Sequence, residues 1–90
     1  MSWTWDPNKA AANKAKHGVS FEAAAFVFLD PLHVSQPDPH PDGNRWQTIG
    51  RVSASLLLVV HTLLDDETLE GRIISARKAT RHERRAYEEF

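Results

Sequence analysis

The chain has 90 residues, 41% hydrophobic and 26% charged, with a formal net charge of −1, which describes one globular domain at residues 1–90 and not a disordered chain. It has no cysteine, so disulfides and thiolate metal sites are excluded and a reducing cytoplasm is permitted. The start Met1-Ser2-Trp3-Thr4-Trp5-Asp6 lacks the basic region and apolar core of a secretory signal, and the longest apolar run, residues 56–60, is too short to span a bilayer.

Asp6-Pro7 reads as a helix start: Asp6 is suited to accept the first N–H groups, and Pro7 sits where its missing N–H costs nothing. Residues 7–17 are rich in Ala and Lys, both good helix formers, and Gly18 supplies the left-handed residue that ends helices. Ser20 caps a second helix, with Glu22 near its positive end. Phe21, Ala24, Ala25 and Phe28 recur at helical spacing as its apolar face, and Asp30-Pro31 stops it. Residues 32–35 read as a short strand. Residues 36–44 hold three prolines and a glycine and read as a loop outside any ladder.

Residues 45–51 alternate moderately, and Ser53-Ala54-Ser55 is a tight connection. Residues 56–60 read as a central strand covered on both faces. Asp65-Asp66-Glu67-Thr68 reads as an acidic hairpin tip, and residues 72–77 as the last strand. Thr80 and Glu83 form a Thr-x-x-Glu capping box opening a final helix. The expected order is α-α-β-β-β-β-α. The expected class is α+β, with N-terminal helices packed on one face of an antiparallel four-stranded sheet and a short C-terminal helix.

Charge is concentrated at the end of the chain. Of eleven Lys and Arg, six (Arg72, Arg77, Lys78, Arg81, Arg84 and Arg85) fall within residues 72–85, with Glu83 the single acid among them. Such a cluster suits a polyanion or an acidic partner protein. Without cysteine, a metal would need His33, His40, Asp38 and Asp42 around the loop, and their spacing fits no closed ligand pattern, so no metal is expected. There is no Gly-rich phosphate loop and no Gly-x-Ser-x-Gly elbow, and no cofactor is expected.

Arg, Lys and His remain. They suit RNA cleavage by attack of the ribose 2′-OH on its own phosphate, which needs a base, an acid and cations for the phosphorane charge. Each candidate also has a plainer role. His17, beside Lys16, sits where a helix dipole favours a cation. His61 suits a satisfied, half-buried strand position. Arg81, Arg84 and Arg85 suit a solvated face or an acidic partner. Trp3, Trp5 and Trp46 suit base stacking or, for at least two of them, core packing.

The chain also resembles BrnT-type toxins of bacterial type II toxin–antitoxin systems. The matching pieces are Trp5-Asp6 with Lys9 and Asn13; Lys16-His17-Gly18-Val19-Ser20-Phe21-Glu22; Val27-Phe28 with Asp30-Pro31; Arg45-Trp46 with Thr48-Ile49-Gly50; Leu58-Val59-Val60; and Ile73-Ile74-Ser75-Ala76-Arg77-Lys78-Ala79-Thr80 with Glu83-Arg84 and Tyr87. They run in the family's order along nearly the whole chain.

The resemblance implies a RelE-like fold and ribonuclease activity that halts translation. It implies neutralisation by a BrnA-type antitoxin whose ribbon-helix-helix part binds operator DNA, so that the toxin meets DNA only through its partner. It makes Arg77, Arg45, His17 and Lys16 the candidate catalytic residues. Arg81, Arg84, Arg85, Trp46 and Arg51 are the expected RNA-binding residues. Many family members carry Glu just before the Arg-aromatic pair. Here that position is Asn44, which cannot act as a general base, so a catalytically weakened antitoxin-binding module is the alternative. Direct DNA binding by the last helix is disfavoured by Glu88 and Glu89 at its end.

Overall fold

Asp6 accepts N–H bonds from Asn8 (2.8 Å) and Lys9 (3.4 Å) and starts helix α1, Pro7–His17. Gly18 ends it at φ 73°, its N–H on the Lys14 carbonyl, in the left-handed region glycine occupies without a Cβ clash. Ser20 caps α2, Phe21–Ala24, by accepting from the Ala23 N–H. The computed structural model describes every residue except Met1, Pro41, Asp42, Leu63, Leu64, Asp66, Leu69 and Phe90. The expected acidic tip at residues 65–68 and the hairpin around it therefore lie partly outside the described residues.

The second helix is shorter than its pattern suggests. After Ala24 the chain tightens into a 3-10 segment, Ala25–Leu29. With three residues per turn, Phe21, Ala24 and Val27 line up and are fully buried, whereas Phe28 and Ala25 pack at the margin. Val27 thus takes a core position that a regular helix would have given to Phe28.

Among the described residues the sheet has five strands in the order β1-β5-β4-β3-β2: β1 Ser2–Thr4, β2 Val34–Pro37, β3 Trp46–Val52, β4 Ser55–His61 and β5 Glu70–Lys78. β2 to β5 form the expected four-stranded antiparallel sheet. The fifth strand, β1, corrects the count: it pairs parallel to β5, Ser2 with Glu70 and Thr4 with Arg72. The loop boundary is also corrected. Gln36 and Pro37 pair with Gln47 and Trp46, because β2 is an edge strand and an edge proline can turn its donor-less side to solvent. β4 is the middle strand, and Leu56, Leu57, Leu58 and Val59 are all buried.

Helices cover both faces, not one. Leu57, Val59, Ile73 and Ala76 meet Phe21, Ala24 and Val27 on the first face. Leu56, Leu58 and Ile49 meet Tyr87 of α3, Arg81–Glu88, on the second. Gly50 lets the 3-10 segment settle on the first face; a Cβ there would lie 2.8 Å from the Val27 carbonyl oxygen.

β1 covers only the first part of β5. Beyond it, Asn13 of α1 takes the place of a neighbouring strand. Its Nδ2 donates to the carbonyls of Ala76 (2.8 Å) and Val19 (3.0 Å), and its Oδ1 accepts from the Ala76 N–H (3.2 Å). Buried backbone groups need such partners, and this one fixes the strand immediately before Arg77.

Candidate functional site

Strand register decides which candidates share a surface. On the α3 face, one row runs Arg77–Leu58–Ile49–Val34 and the next runs Ser75–Val60–Gln47–Gln36. Arg45, two residues before Gln47, falls on this face by alternation, and its carbonyl accepts from the Asp38 N–H at 2.8 Å. Arg77 and Arg45 therefore flank one open surface, with Ser75, Val60 and Gln47 between them.

α3 lies across the other part of that face, and its inner side holds two arginines. Glu83 receives both terminal nitrogens of Arg77, Nη1 to Oε1 at 2.7 Å and Nη2 to Oε2 at 2.8 Å. One turn later, Tyr87 lies under the Arg51 guanidinium, 5.8 Å from ring centre to Cζ, and donates its hydroxyl to Asp30 at 2.7 Å. Asp30 also accepts the backbone N–H groups of Leu32 and Arg51. Burial disfavours its charge, but these donors outweigh that and lower its pKa.

Glu83 does two jobs. It completes the capping box, taking the Thr80 N–H at 2.9 Å while Thr80 Oγ1 takes the Glu83 N–H at 3.2 Å. It also orients Arg77. The Arg77 bonds, against a smaller opposing effect of burial, hold its carboxyl down to about 2, and Arg77 is raised in turn. Arg77 Nη1 additionally donates to the Lys78 carbonyl at 3.3 Å. A guanidinium has five N–H groups. Nε–H and the second Nη2–H of Arg77 have no partner among the described residues, and together they form the side-on fork that fits two phosphate oxygens.

The other candidates do not all join this surface. Lys16 and His17 are exposed at the end of α1, which packs against the opposite face, and no described hydrogen bond or ion pair links them to Arg77 or Arg45. Trp46 pairs with His61 and Pro37 on that opposite face too. Arg81, Arg84 and Arg85 are exposed on the outer side of α3. Asn44 is exposed just before Arg45.

His61 is buried in a polar chain. Its Nδ1–H donates to the Thr62 carbonyl at 2.7 Å, so in the neutral ring Nε2 accepts from Thr48 Oγ1 at 2.6 Å, and Ser35 Oγ donates to Thr48 at 2.7 Å. Burial lowers its pKa. Trp3 and Phe28 meet it edge-on. This is a satisfied core histidine.

Of the loop groups considered for a metal, His33 turns to the Asp30 carbonyl (2.7 Å) and Asp38 to Gln47 (2.5 Å); Asp42 lies outside the described residues. No group of three such ligands comes together among the described residues. No described helix is long and apolar enough to cross a membrane. A groove of about 400 Å³ between Trp3, Trp5, Phe26 and Leu29 is apolar and belongs to the face opposite Arg77.

In the sequence Glu83 is legible only as the capping residue paired with Thr80. Its second role depends on how α3 lies on the sheet, which no local pattern carries. The Gln36–Gln47 pairing was hidden in the same way, because it follows from the β2–β3 register.

The family profile described as ribonuclease toxin, BrnT, of type II toxin-antitoxin system matches residues 5–83. Among solved structures, the chain is similar to the crystal structure of the Brucella abortus ribonuclease toxin BrnT. The two are 24% identical, with a TM-score of 0.70, covering 90% of this chain and 99% of that one. At that identity the likeness shows the fold. The comparison with curated proteins found no match.

Proposed function

The chain belongs to the BrnT family of ribonuclease toxins of type II toxin–antitoxin systems, and on that premise we propose that it is a metal-independent endoribonuclease that halts translation in the cytoplasm. The observation that carries this reading is the Arg77 guanidinium, fixed by Glu83 and presenting a side-on fork beside an open sheet face. Preorganised donors of this kind stabilise charge that develops in a transition state.

In the proposed reaction the ribose 2′-oxygen attacks the adjacent phosphorus and the 5′-oxygen leaves. A base takes the 2′-OH proton, and an acid returns one to the leaving oxygen. The products are a 2′,3′-cyclic phosphate and a 5′-OH. Arg77 and Arg45 hold the non-bridging oxygens, and Arg81, Arg84 and Arg85 guide the RNA backbone. Lys16 and His17 assist charge and proton transfer from the edge of β5, which requires the RNA to wrap that edge. A BrnA-type antitoxin with a ribbon-helix-helix domain neutralises the toxin through its basic helix, and operator DNA is bound only through that partner.

The test is purified toxin on RNA with EDTA present. Fragments ending in cyclic phosphate are expected, and their loss on chelation would overturn the metal-free mechanism. Two observations favour the second reading, a non-enzymatic antitoxin-binding module: Glu83 counters the Arg77 charge, and position 44 is Asn. Expression without antitoxin separates the two. Normal growth, with Arg77→Ala altering only antitoxin affinity, would establish the module.

A further inference from the structure

Beside Arg45, on the α3 face, three side chains form an ordered chain that the cleavage chemistry does not use. Asp38 Oδ1 accepts from Gln47 Nε2 at 2.5 Å, and Gln47 Oε1 accepts from Gln36 Nε2 at 3.2 Å. An ionised carboxylate only accepts, so Asp38 decides which end of the Gln47 amide faces it. That choice turns Gln47 Oε1 toward Gln36 and thereby fixes the end of the Gln36 amide that faces Gln47. Asp38 is itself held, with its N–H on the Arg45 carbonyl and its Oδ2 accepting the His40 N–H at 3.1 Å.

The result is an exposed Gln36 amide of set orientation. Its Oε1 and one N–H have no partner among the described residues. Next to it is a small notch of about 100 Å³ lined by Val34, Ser35, Gln36, Gln47, Ile49 and Ala86. Its apolar lining comes from Val34, Ile49 and Ala86, and two amides stand at its edge. A few fixed polar groups beside an apolar floor are what a small-ligand site requires.

We propose that Gln36 and Gln47, oriented by Asp38, form a subsite that reads one unpaired RNA base, with adenine favoured. This rests on the ribonuclease reading above. Single-stranded RNA is read by splaying out a base and hydrogen-bonding its edges. A glutamine amide offers one donor next to one acceptor. Adenine matches that pair on both its exposed edges, through N6–H with N7 or with N1. Gln47 on β3 lies two residues after Arg45, and Gln36 sits beside it on the edge strand β2, so a strand whose phosphate rests on Arg45 has a neighbouring base within reach of the subsite. Asp38 acts through Gln47 and is a positioning residue.

The experiment measures binding of the four RNA homotetramers by fluorescence anisotropy, in the wild type and in Gln36→Leu, Gln47→Leu and Asp38→Asn, alongside mapping of cleavage sites. Each variant is first checked for an unchanged thermal midpoint; Gln36 is exposed on an edge strand and its variant keeps the fold. A bidentate amide–base pair is worth ~1–3 kcal/mol of discrimination, which is roughly 5- to 150-fold. The wild type is expected to prefer oligoadenylate by about tenfold or more, and Gln36→Leu to abolish the preference while changing the other three affinities less than about twofold. Asp38→Asn is expected to broaden the preference without weakening overall binding, because an Asn amide no longer dictates the Gln47 orientation. Equal binding of all four oligomers by the wild type, or uniform weakening in Gln36→Leu, overturns the proposal. Absence of cleavage with the adenine preference intact would count against the ribonuclease reading and leave the subsite standing.

Discussion

Replacing Asn13 with alanine removes the side chain that completes the edge of β5. Three hydrogen bonds go with it, to the Ala76 N–H, the Ala76 carbonyl and the Val19 carbonyl, all in buried surroundings. An unmade bond of this type costs about 1–3 kcal/mol when the remaining partner is left dry. Some water would reach the vacated space, and alanine regains about 0.5 kcal/mol of helix propensity. The net loss is about 3 kcal/mol, against a total stability of roughly 5–13 kcal/mol for a domain of this size. At about 4–8 °C per kcal/mol, the midpoint should fall by at least 12 °C. Urea unfolding followed by tryptophan fluorescence reads this directly, since Trp3 and Trp5 pack against the core. Asn13→Asp is the sharper control: it keeps an acceptor for the Ala76 N–H but turns an oxygen toward two carbonyls, and it should be at least as unstable. A cost below about 1 kcal/mol for Asn13→Ala would refute the view that this carboxamide substitutes for a strand.

Further expectations concern packing and pH. Gly50→Ala should destabilise by about 2 kcal/mol or more, because the added methyl meets the Val27 carbonyl, a backbone atom that cannot swing aside; chemical denaturation measures it. His61 has a lowered pKa, so the unfolded chain binds the extra proton first. Its contribution is complete above about pH 6.5 and declines as pH falls below that, and His61→Gln should flatten the urea midpoint between pH 7.5 and 5.5. Glu83 is depressed from 4.5 to about 2, so its contribution is complete above pH 4.5 and is lost as pH falls toward 2. Glu83→Gln should remove that part of the acid transition, and an unaltered acid titration would contradict the Arg77 pairing.

The local signals in the sequence were sufficient for the elements with chemical punctuation. Asp6, Pro7 and Gly18 mark α1, Thr80 and Glu83 mark α3, and the unbroken 56–60 run marks the middle strand. What escaped depends on distant partners. β1 is three residues long, too short for any period, and is a strand only because β5 lies 68 residues away at Glu70. Pro37 argues against a ladder until β2 is known to be an edge. The 3-10 segment shifts the buried face from Phe28 to Val27, a difference between periods of 3.6 and 3.0 that five residues cannot settle. The candidate site was legible as residue types. Arg77 was identifiable at the end of a strand, but its clamp by Glu83 and the separation of Lys16, His17 and Trp46 from its face required the packing of two helices on opposite sides of the sheet.

The central claim is that Arg77, held by Glu83, stabilises the phosphorane during metal-free RNA cleavage. Single-turnover cleavage of one RNA in EDTA by the wild type, Arg77→Lys and Arg77→Ala tests it most directly, with thermal midpoints as the control for folding. Loss of a preorganised donor group predicts rates down by about 10²- to 10³-fold for alanine, with lysine failing to restore the wild-type rate because it keeps the charge without the fork. An Arg77→Ala protein that is folded and cleaves within about threefold of the wild type, far short of the loss expected for a transition-state donor, would contradict the account.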